Sequence, residues 1–336
     1  MRARLLDFLR CPLCSASLEA ENAFDAGGWL ESGFIVCSAC HARYPVNEGI
    51  PSLLADGSHL GLAGKTSDSF SMEWLNYNAS PEEDRKIFLE ESQTEPEFWK
   101  GRVVLDAGCG MGRYSLVARS LGAEVVAADY SRSVLRLVTA SRNDAGLHVV
   151  RCDLLQPPFK PEVFDAAYSH GVLHHTADAR AAFKSVAASV KRGGYLSVWL
   201  YGKAGSWRNF RTNPLRSSRK FLEPLKFMVW IFVGIRGFYS DAMRFFTTRL
   251  PAGVCYALSY PLAWLGAVPV VKYLTFSAHR DYKIRFFENF DWISPPYQTH
   301  HTKEELAGWY EQAGFEPEKT LPHGFVPKPG VLGRKK

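Results

Sequence analysis

The chain shows no export signal: residues 1–10 are short, mixed and charged, and run straight into a cysteine pair. A reducing, cytoplasmic setting is expected, in which the seven cysteines are not a disulfide framework. Low-complexity tracts are absent, as are internal repeats beyond two paired cysteine knuckles, so a repeat architecture is excluded. Acids are scarce in one stretch. Between Lys203 and Lys283 there are 13 Lys/Arg against three Asp/Glu, a net of +10, so with +6 overall the remainder carries about −4. The basic character belongs to that stretch alone. Formal charge is missing altogether from 251–271, whose 21 residues are long enough to cross a bilayer. Pro251, Pro261 and Pro269 break that run, and Ala, Gly, Ser and Tyr dilute it, so a span is disfavoured. Apolar residues make up 46% of the chain and aromatics 13%, enough for a sizeable core. A length of 336 residues suits two domains or one large decorated one.

Four cysteines form the two knuckles, Cys11-Pro-Leu-Cys14 and Cys37-Ser-Ala-Cys40, with 22 residues between them. Two short pairs can set four thiolates around one structural Zn2+. A thioredoxin-like redox motif would be one pair, not two. Cys152 and Cys255 read as packing residues.

Residues 103–114 carry the strongest signal. An apolar run at 103–105, of the kind that forms a buried parallel strand, ends on Asp106. Gly108, Gly110 and Gly112 follow on alternate positions, and then a helix is expected. Glycine permits a tight turn and a close ligand approach. A dinucleotide fingerprint would be G-x-G-x-x-G with a pyrophosphate on the helix N-terminus. Here the third glycine comes one residue early, which suits a ligand with an amino-acid moiety and no phosphate. Cys109, inside the loop, reads as a small residue beside that ligand rather than a nucleophile.

This loop resembles that of class I S-adenosylmethionine (SAM)-dependent methyltransferases, of the type 11 and 12 group, whose pattern is an acid followed by G-x-G-x-G. The downstream chain extends the resemblance over about 100 residues. A second strand at 124–128 ends at Asp129, where a carboxylate accepts both hydroxyls of a ribose. A third strand at 147–151 leads to Cys152-Asp153-Leu154, and a fourth at 163–169 runs into His170. Phe164-Asp165, Ser169 and Leu173-His174-His175 match the family block F-D-x-x-x-S-x-x-x-L-H-H. Lys191-Arg192-Gly193-Gly194 then turns into a fifth strand at 195–201. The resemblance implies a Rossmann-like, doubly wound α/β fold with seven strands. It assigns Asp106, Gly108, Gly110 and Gly112 to the methionine part of SAM, Asp129 to the ribose and Asp153 to the adenine. Cys109, Tyr130, Leu154 and Ser169 are further expected cofactor-binding residues.

Residues 1–54 resemble the zinc ribbon of the methyltransferase-activator family, on Leu5-Leu6-Asp7-Phe8-Leu9, the two knuckles and Tyr44-Pro45-Val46-Asn47-Glu48-Gly49-Ile50-Pro51. The expected organisation is a ribbon at 1–58, a linker and helical cap at 59–100, and a SAM-binding domain at 101–202 and 284–336. A basic-aromatic helical insertion occupies 203–283. Asp56-Gly57-Ser58 reads as a turn. Thr66–Phe70 (Thr-Ser-Asp-Ser-Phe), with Glu73-Trp74, resembles a segment that precedes the fold in this group, and 81–91 reads as a helix. Thr302-Lys303-Glu304-Glu305 is a capping box, with Gly314 as the stop. A sixth strand follows at 315–320, and a seventh near 324–326 or later; 327–336 reads as a frayed basic tail.

The catalytic half is less explicit. The Asn-Pro-Pro-Tyr or Asp-Pro-Pro-Tyr signature of amino-group methyltransferases is missing after the fourth strand. His170 stands there instead and is the first candidate general base for an oxygen or carbon acceptor. His174 and His300 are further candidates; His175, Tyr297 and His301 lie near the same edge. The expected function is methyl transfer to an O or C acceptor on a small-molecule, lipid-linked or secondary-metabolite substrate. An RNA acceptor, suggested by the layout of a zinc ribbon ahead of a methyltransferase domain, ranks second, and a non-catalytic SAM-binding or partner-activating protein third; the ribbon itself holds few cations to dock RNA. The insertion is expected to cover the acceptor pocket or to lie on the inner face of the membrane.

Overall fold

The computed structural model describes residues 1–54, 64–65, 80–212, 217–269, 271, 275–277, 279–322 and 327–336. The turn expected at 56–58, the segments at 66–70 and 73–74, and the strand option at 324–326 lie outside the described residues.

Four short strands, β1 (Leu18–Ala20), β2 (Gly33–Cys37), β3 (Arg43–Asn47) and β4 (Ile50–Leu53), build an antiparallel ribbon. Seven more follow: β5 (Val103–Ala107), β6 (Glu124–Asp129), β7 (Leu147–Cys152), β8 (Phe164–His170), β9 (Val190–Trp199), β10 (Phe315–Thr320) and β11 (Gly330–Lys335). Their order, β7-β6-β5-β8-β9-β11-β10, is the doubly wound seven-stranded sheet the sequence implied. β5 to β9 run parallel and are apolar on both faces, as a sheet covered by helices on each side must be.

β4 pairs in parallel with β7, Ser52 opposite Arg151 and Leu53 opposite Cys152. The ribbon thus continues the large sheet. Side-chain alternation along each strand sorts the core into two layers. Leu105, Val126 and Val150 face one way and pack with Leu5, Phe8 and Leu9 of the ribbon. Val104, Val125 and Val149 face the other way and pack with Phe88, Trp99 and Val117.

The helix Pro81–Ser92 forms where expected, with Glu82, Glu83 and Asp84 in its first turn. The capping box at Thr302 and Glu305 is complete and opens the helix Lys303–Gln312; Gly314 takes φ +79° just past its end. One expectation fails: 330–335 is not a frayed tail. Gly330–Lys335 is a full strand between β9 and β10, with Val331 and Leu332 buried. A Cβ at Gly333 would sit 2.6 Å from the Tyr310 ring, so the glycine is what lets strand and helix close.

The stretch after β9 is helical: Trp207–Thr212, a 3-10 segment Ser217–Leu225, Lys226–Thr247 and Ala252–Leu265. The last two pack on the helix Tyr282–Ile293. Among the described residues, no helix is long and apolar enough to cross a membrane.

Candidate active site and metal centre

The glycine loop is held open by its neighbours. Gly108, Gly110 and Gly112 all take positive φ, at +93°, +56° and +86°. A Cβ at Gly108 would lie 2.3 Å from Val172, and one at Gly112 2.4 Å from Leu137, so side chains are barred at both. Backbone N–H groups of Gly108 and Cys109 both donate to the Ala128 carbonyl, at 2.8 and 3.0 Å, tying the loop to the tip of β6. Asp129, the last residue of β6, accepts from Gly110 N at 2.8 Å with one oxygen and from Ser131 N at 2.7 Å with the other. Each oxygen keeps a lone pair for a further hydroxyl.

One pocket collects these residues at the carboxyl ends of β5 to β8, where open α/β sheets bind ligands. Asp106, Gly108, Cys109, Gly110, Asp129 and Tyr130 line it, as do Asp153, Leu154 and His170. Gly112 and Ser169 stand behind the lining; the Ser169 hydroxyl donates to the Ala107 carbonyl at 2.7 Å and supports the loop from below. Burial pushes the Asp106 carboxyl up to about 7, although Ser115 donates to it at 2.6 Å. An approaching ammonium group would restore its charge. Burial raises the Cys109 thiol well above its ordinary range, so it is not a thiolate nucleophile. Acids at the strand tips, a loop without side chains and a mostly apolar wall fit SAM, whose ammonium, ribose and adenine each need an acceptor.

The histidines divide. His170 lines the pocket, its Nε2 lying 2.9 Å from Ser197 Oγ and its Nδ1 3.8 Å from Glu91. Burial lowers it to about 4, so it is a neutral imidazole at pH 7. His174 and His300 are not among the lining residues. His174 is buried and stacks on Tyr201 with ring centres 4.0 Å apart; His300 is lowered to about 4 by burial and lies 5.6 Å from Trp292. His175 does reach the pocket, next to Thr176 and Tyr297, and its Nδ1 meets the Tyr297 carbonyl at 3.1 Å.

Sequence reading missed one group. Glu91, buried under the pocket, accepts from Tyr114 Oη at 3.1 Å and Trp199 Nε1 at 2.9 Å and pairs with Lys328. Burial works to raise its pKa, but the Lys328 ammonium, with the Trp199 N–H, outweighs this and holds the carboxyl below its ordinary value. Arg113, which lines the pocket, is held by Asp84 at 3.1 Å. Neither contact has a local sequence signal, since the partners come from separate elements.

In the ribbon, the sulfurs of Cys11, Cys14, Cys37 and Cys40 all lie within 4.8 Å of one another. The two knuckles repeat one geometry: Ser15 and His41, each following the second cysteine, take φ +65° and +58°. Their N–H groups return to the Cys11 and Cys37 carbonyls at 2.8 and 3.2 Å. Tetrahedral Zn–S bonds of about 2.3 Å place sulfurs roughly 3.8 Å apart, so the set fits Zn2+. Tyr44 Oη, 3.2 Å from the Cys11 sulfur, supplies an outer hydrogen bond.

Sheet order, glycine loop and strand-tip acids define the class: a class I SAM-dependent methyltransferase fold with an attached four-cysteine unit of zinc-ribbon type. More particularly, residues 105–198 match the methyltransferase domain family and residues 2–49 the Trm112p-like protein family. Among curated proteins, mouse Probable tRNA methyltransferase 9B is 35% identical over 113 residues, 33% of this chain and 24% of its own length. Malonyl-[acyl-carrier protein] O-methyltransferase of Salmonella typhimurium is 37% identical over 94 residues, 28% of this chain and 37% of its own. The tRNA (carboxymethyluridine(34)-5-O)-methyltransferase of Arabidopsis thaliana is 28% identical over 126 residues, 37% of this chain and 30% of its own. The chain therefore spans between 24% and 37% of the length of these relatives.

Proposed function

We propose that the chain is a SAM-dependent O-methyltransferase whose acceptor atom is a carboxylate oxygen. The observation that carries the donor half is the pocket in which Asp106, Asp129 and Asp153 surround a glycine loop without side chains. SAM arrives with its methyl group already activated on a sulfonium. What the protein must do is hold donor and acceptor in line and exclude water.

Two features support the carboxylate. Carboxymethyluridine and a malonyl group, the acceptors in two of the relatives' names, both present a free carboxylate. A carboxylate also needs no general base at neutral pH, and burial lowers both pocket-lining histidines, His170 and His175, below the ordinary imidazole value. In this reading His170 is a positioning residue, fixed between Ser197 and Glu91, and Tyr297 with His175 frames the acceptor end.

For the carrier of that carboxylate, the named tRNA methyltransferases bring RNA ahead of the order expected from sequence. A lipid-linked or small-molecule carboxylate is the second reading, favoured by the exposed apolar helices of the insertion. The test is transfer of labelled methyl from SAM in the presence of bulk tRNA, and separately of organic extracts. Nuclease-sensitive label supports RNA, organic-soluble label supports the second reading, and no transfer to either removes the enzyme.

A further inference from the structure

The helix Lys226–Thr247 buries polar groups and exposes rings. Lys226, Ser240, Arg244 and Thr247 lie on its buried side with Val229 and Val233, while Phe227, Met228, Ile231, Ile235, Phe238 and Phe246 are exposed. Phe238 is 79% exposed and Phe246 68%. The cations are not stranded. Lys226 Nζ donates to the Arg211 carbonyl at 3.0 Å, and Arg236 donates to the Phe276 carbonyl at 2.6 Å. Arg244 donates to the carbonyls of Pro295 at 2.7 Å and Gln298 at 3.2 Å.

The next helix, Ala252–Leu265, has no charged residue and exposes Val254, Leu258, Tyr260, Trp264 and Leu265, with Trp264 73% exposed. Of the 21 large hydrophobic residues exposed among the described residues, 17 fall between Phe221 and Val268. A water-facing helix puts its charges outside and its rings inside; the first helix buries Lys226 and Arg244 while exposing rings, and the second exposes an uncharged apolar face. Scattered exposed apolar residues are ordinary, but a concentration of this kind marks a contact surface.

We propose that this outward helical face docks in plane on an anionic lipid bilayer. Three observations select that occupant. Charge is complementary: with Lys226, Arg236 and Arg244 turned inward, seven exposed cations among the described residues of 203–283, Lys203, Arg208, Lys220, Arg280 and Lys283 among them, still outnumber the three exposed acids Glu223, Asp241 and Asp281. The outward rings include Tyr239, Tyr260 and Trp264, the residue types that settle at the water–lipid boundary. Among the described residues no helix is long and apolar enough to cross a membrane, so a lipid contact through this face lies in the interface. RNA suits the face less well: Asp241 and Arg249 are the charged residues exposed along 226–250, leaving little to meet phosphates.

Docking would bear on the pocket. Arg244 grips the carbonyls on both sides of Tyr297, which lines the pocket, so the lipid-facing helix and the acceptor edge are mechanically joined. The inference rests on the helical face and not on the carboxylate reading.

The test uses the whole chain and its double variant Phe238→Glu/Trp264→Glu, two exposed sites whose change leaves packing intact. Co-sedimentation is measured with vesicles of phosphatidylglycerol and phosphatidylcholine, and with phosphatidylcholine alone, at low and high salt. The expected result is at least tenfold stronger binding to the anionic vesicles, weakened by salt, and at least tenfold loss in the double variant at unchanged melting temperature and SAM affinity. Wild-type protein staying in the supernatant with anionic vesicles at low salt overturns the proposal, as does a double variant that binds equally. If the double variant instead loses tRNA binding, or turns a dimer into a monomer in light scattering, with vesicle binding unchanged, the face belongs to RNA or to a second copy.

Discussion

Asp129→Ala isolates the donor half of the site. Both Asp129 oxygens already accept a backbone N–H, from Gly110 at 2.8 Å and Ser131 at 2.7 Å, so the carboxylate shapes the loop as well as facing the pocket. Two hydroxyls of a ribose would add two charge-assisted hydrogen bonds, each worth about 1.5–3 kcal/mol. Losing both costs about 3–6 kcal/mol, a factor of roughly 10² to 10⁴ in Kd. The loop bonds set a second, separable effect, since freed amides at the loop surface reach water and cost about 1 kcal/mol each. Asp129→Asn keeps one acceptor oxygen and is expected to lose about tenfold in affinity. Isothermal titration with SAM reads the binding, and a thermal melt without ligand reads the loop. A Kd for Asp129→Ala within about threefold of wild type would refute the ribose assignment, whatever the melt shows.

Three further expectations follow from particular groups. Zinc content should be one ion per chain and fall to none in Cys37→Ser, with a drop of about 10 °C in Tm because metal binding supplies folding free energy to a ribbon continuous with the main sheet. The Asp106 carboxyl is raised by burial from its ordinary 3.8 to about 7, so the fold favours its protonated form. Its stabilising contribution is complete below about pH 4 and lost as pH rises through about 7. Without ligand, wild type should lose of order 2 kcal/mol between pH 5 and pH 8 relative to Asp106→Asn; parallel melts of the two proteins across that range would disprove the shift. His170→Asn should lower kcat about tenfold while leaving the pH profile between 6 and 8 unchanged, whereas loss of a true general base costs about 10² to 10⁴ and removes a limb of the profile.

What the sequence made readable was local. Asp106 to Gly112 is seven consecutive residues, Asp129 ends its strand, Asp153 directly follows the next one, and each zinc knuckle spans four positions. The chemistry of those stretches depends on neighbours along the chain. What stayed hidden depends on elements far apart. β4 joins β7 across about 100 residues, and nothing in Ile50–Leu53 alone chooses that partner. Glu91 is held by Trp199 and Lys328, from three different parts of the chain. Gly330–Lys335 looked like a tail because glycine and cations outnumber its two apolar residues, and only pairing with β9 on one side and β10 on the other makes it a strand. The excess of cations in 203–283 was visible at once; that Lys226, Arg236 and Arg244 turn inward, each to a backbone carbonyl, was not.

The most direct test of carboxylate methylation is the stability of the product. Acceptor methylated by this chain from labelled SAM, tRNA first and lipid extract second, is exposed to mild alkali, which cleaves methyl esters and spares methyl groups on nitrogen, carbon or ether oxygen. The expected result is quantitative release of the label as methanol. Label that survives alkali on the acceptor would contradict the carboxylate reading while leaving the SAM pocket in place.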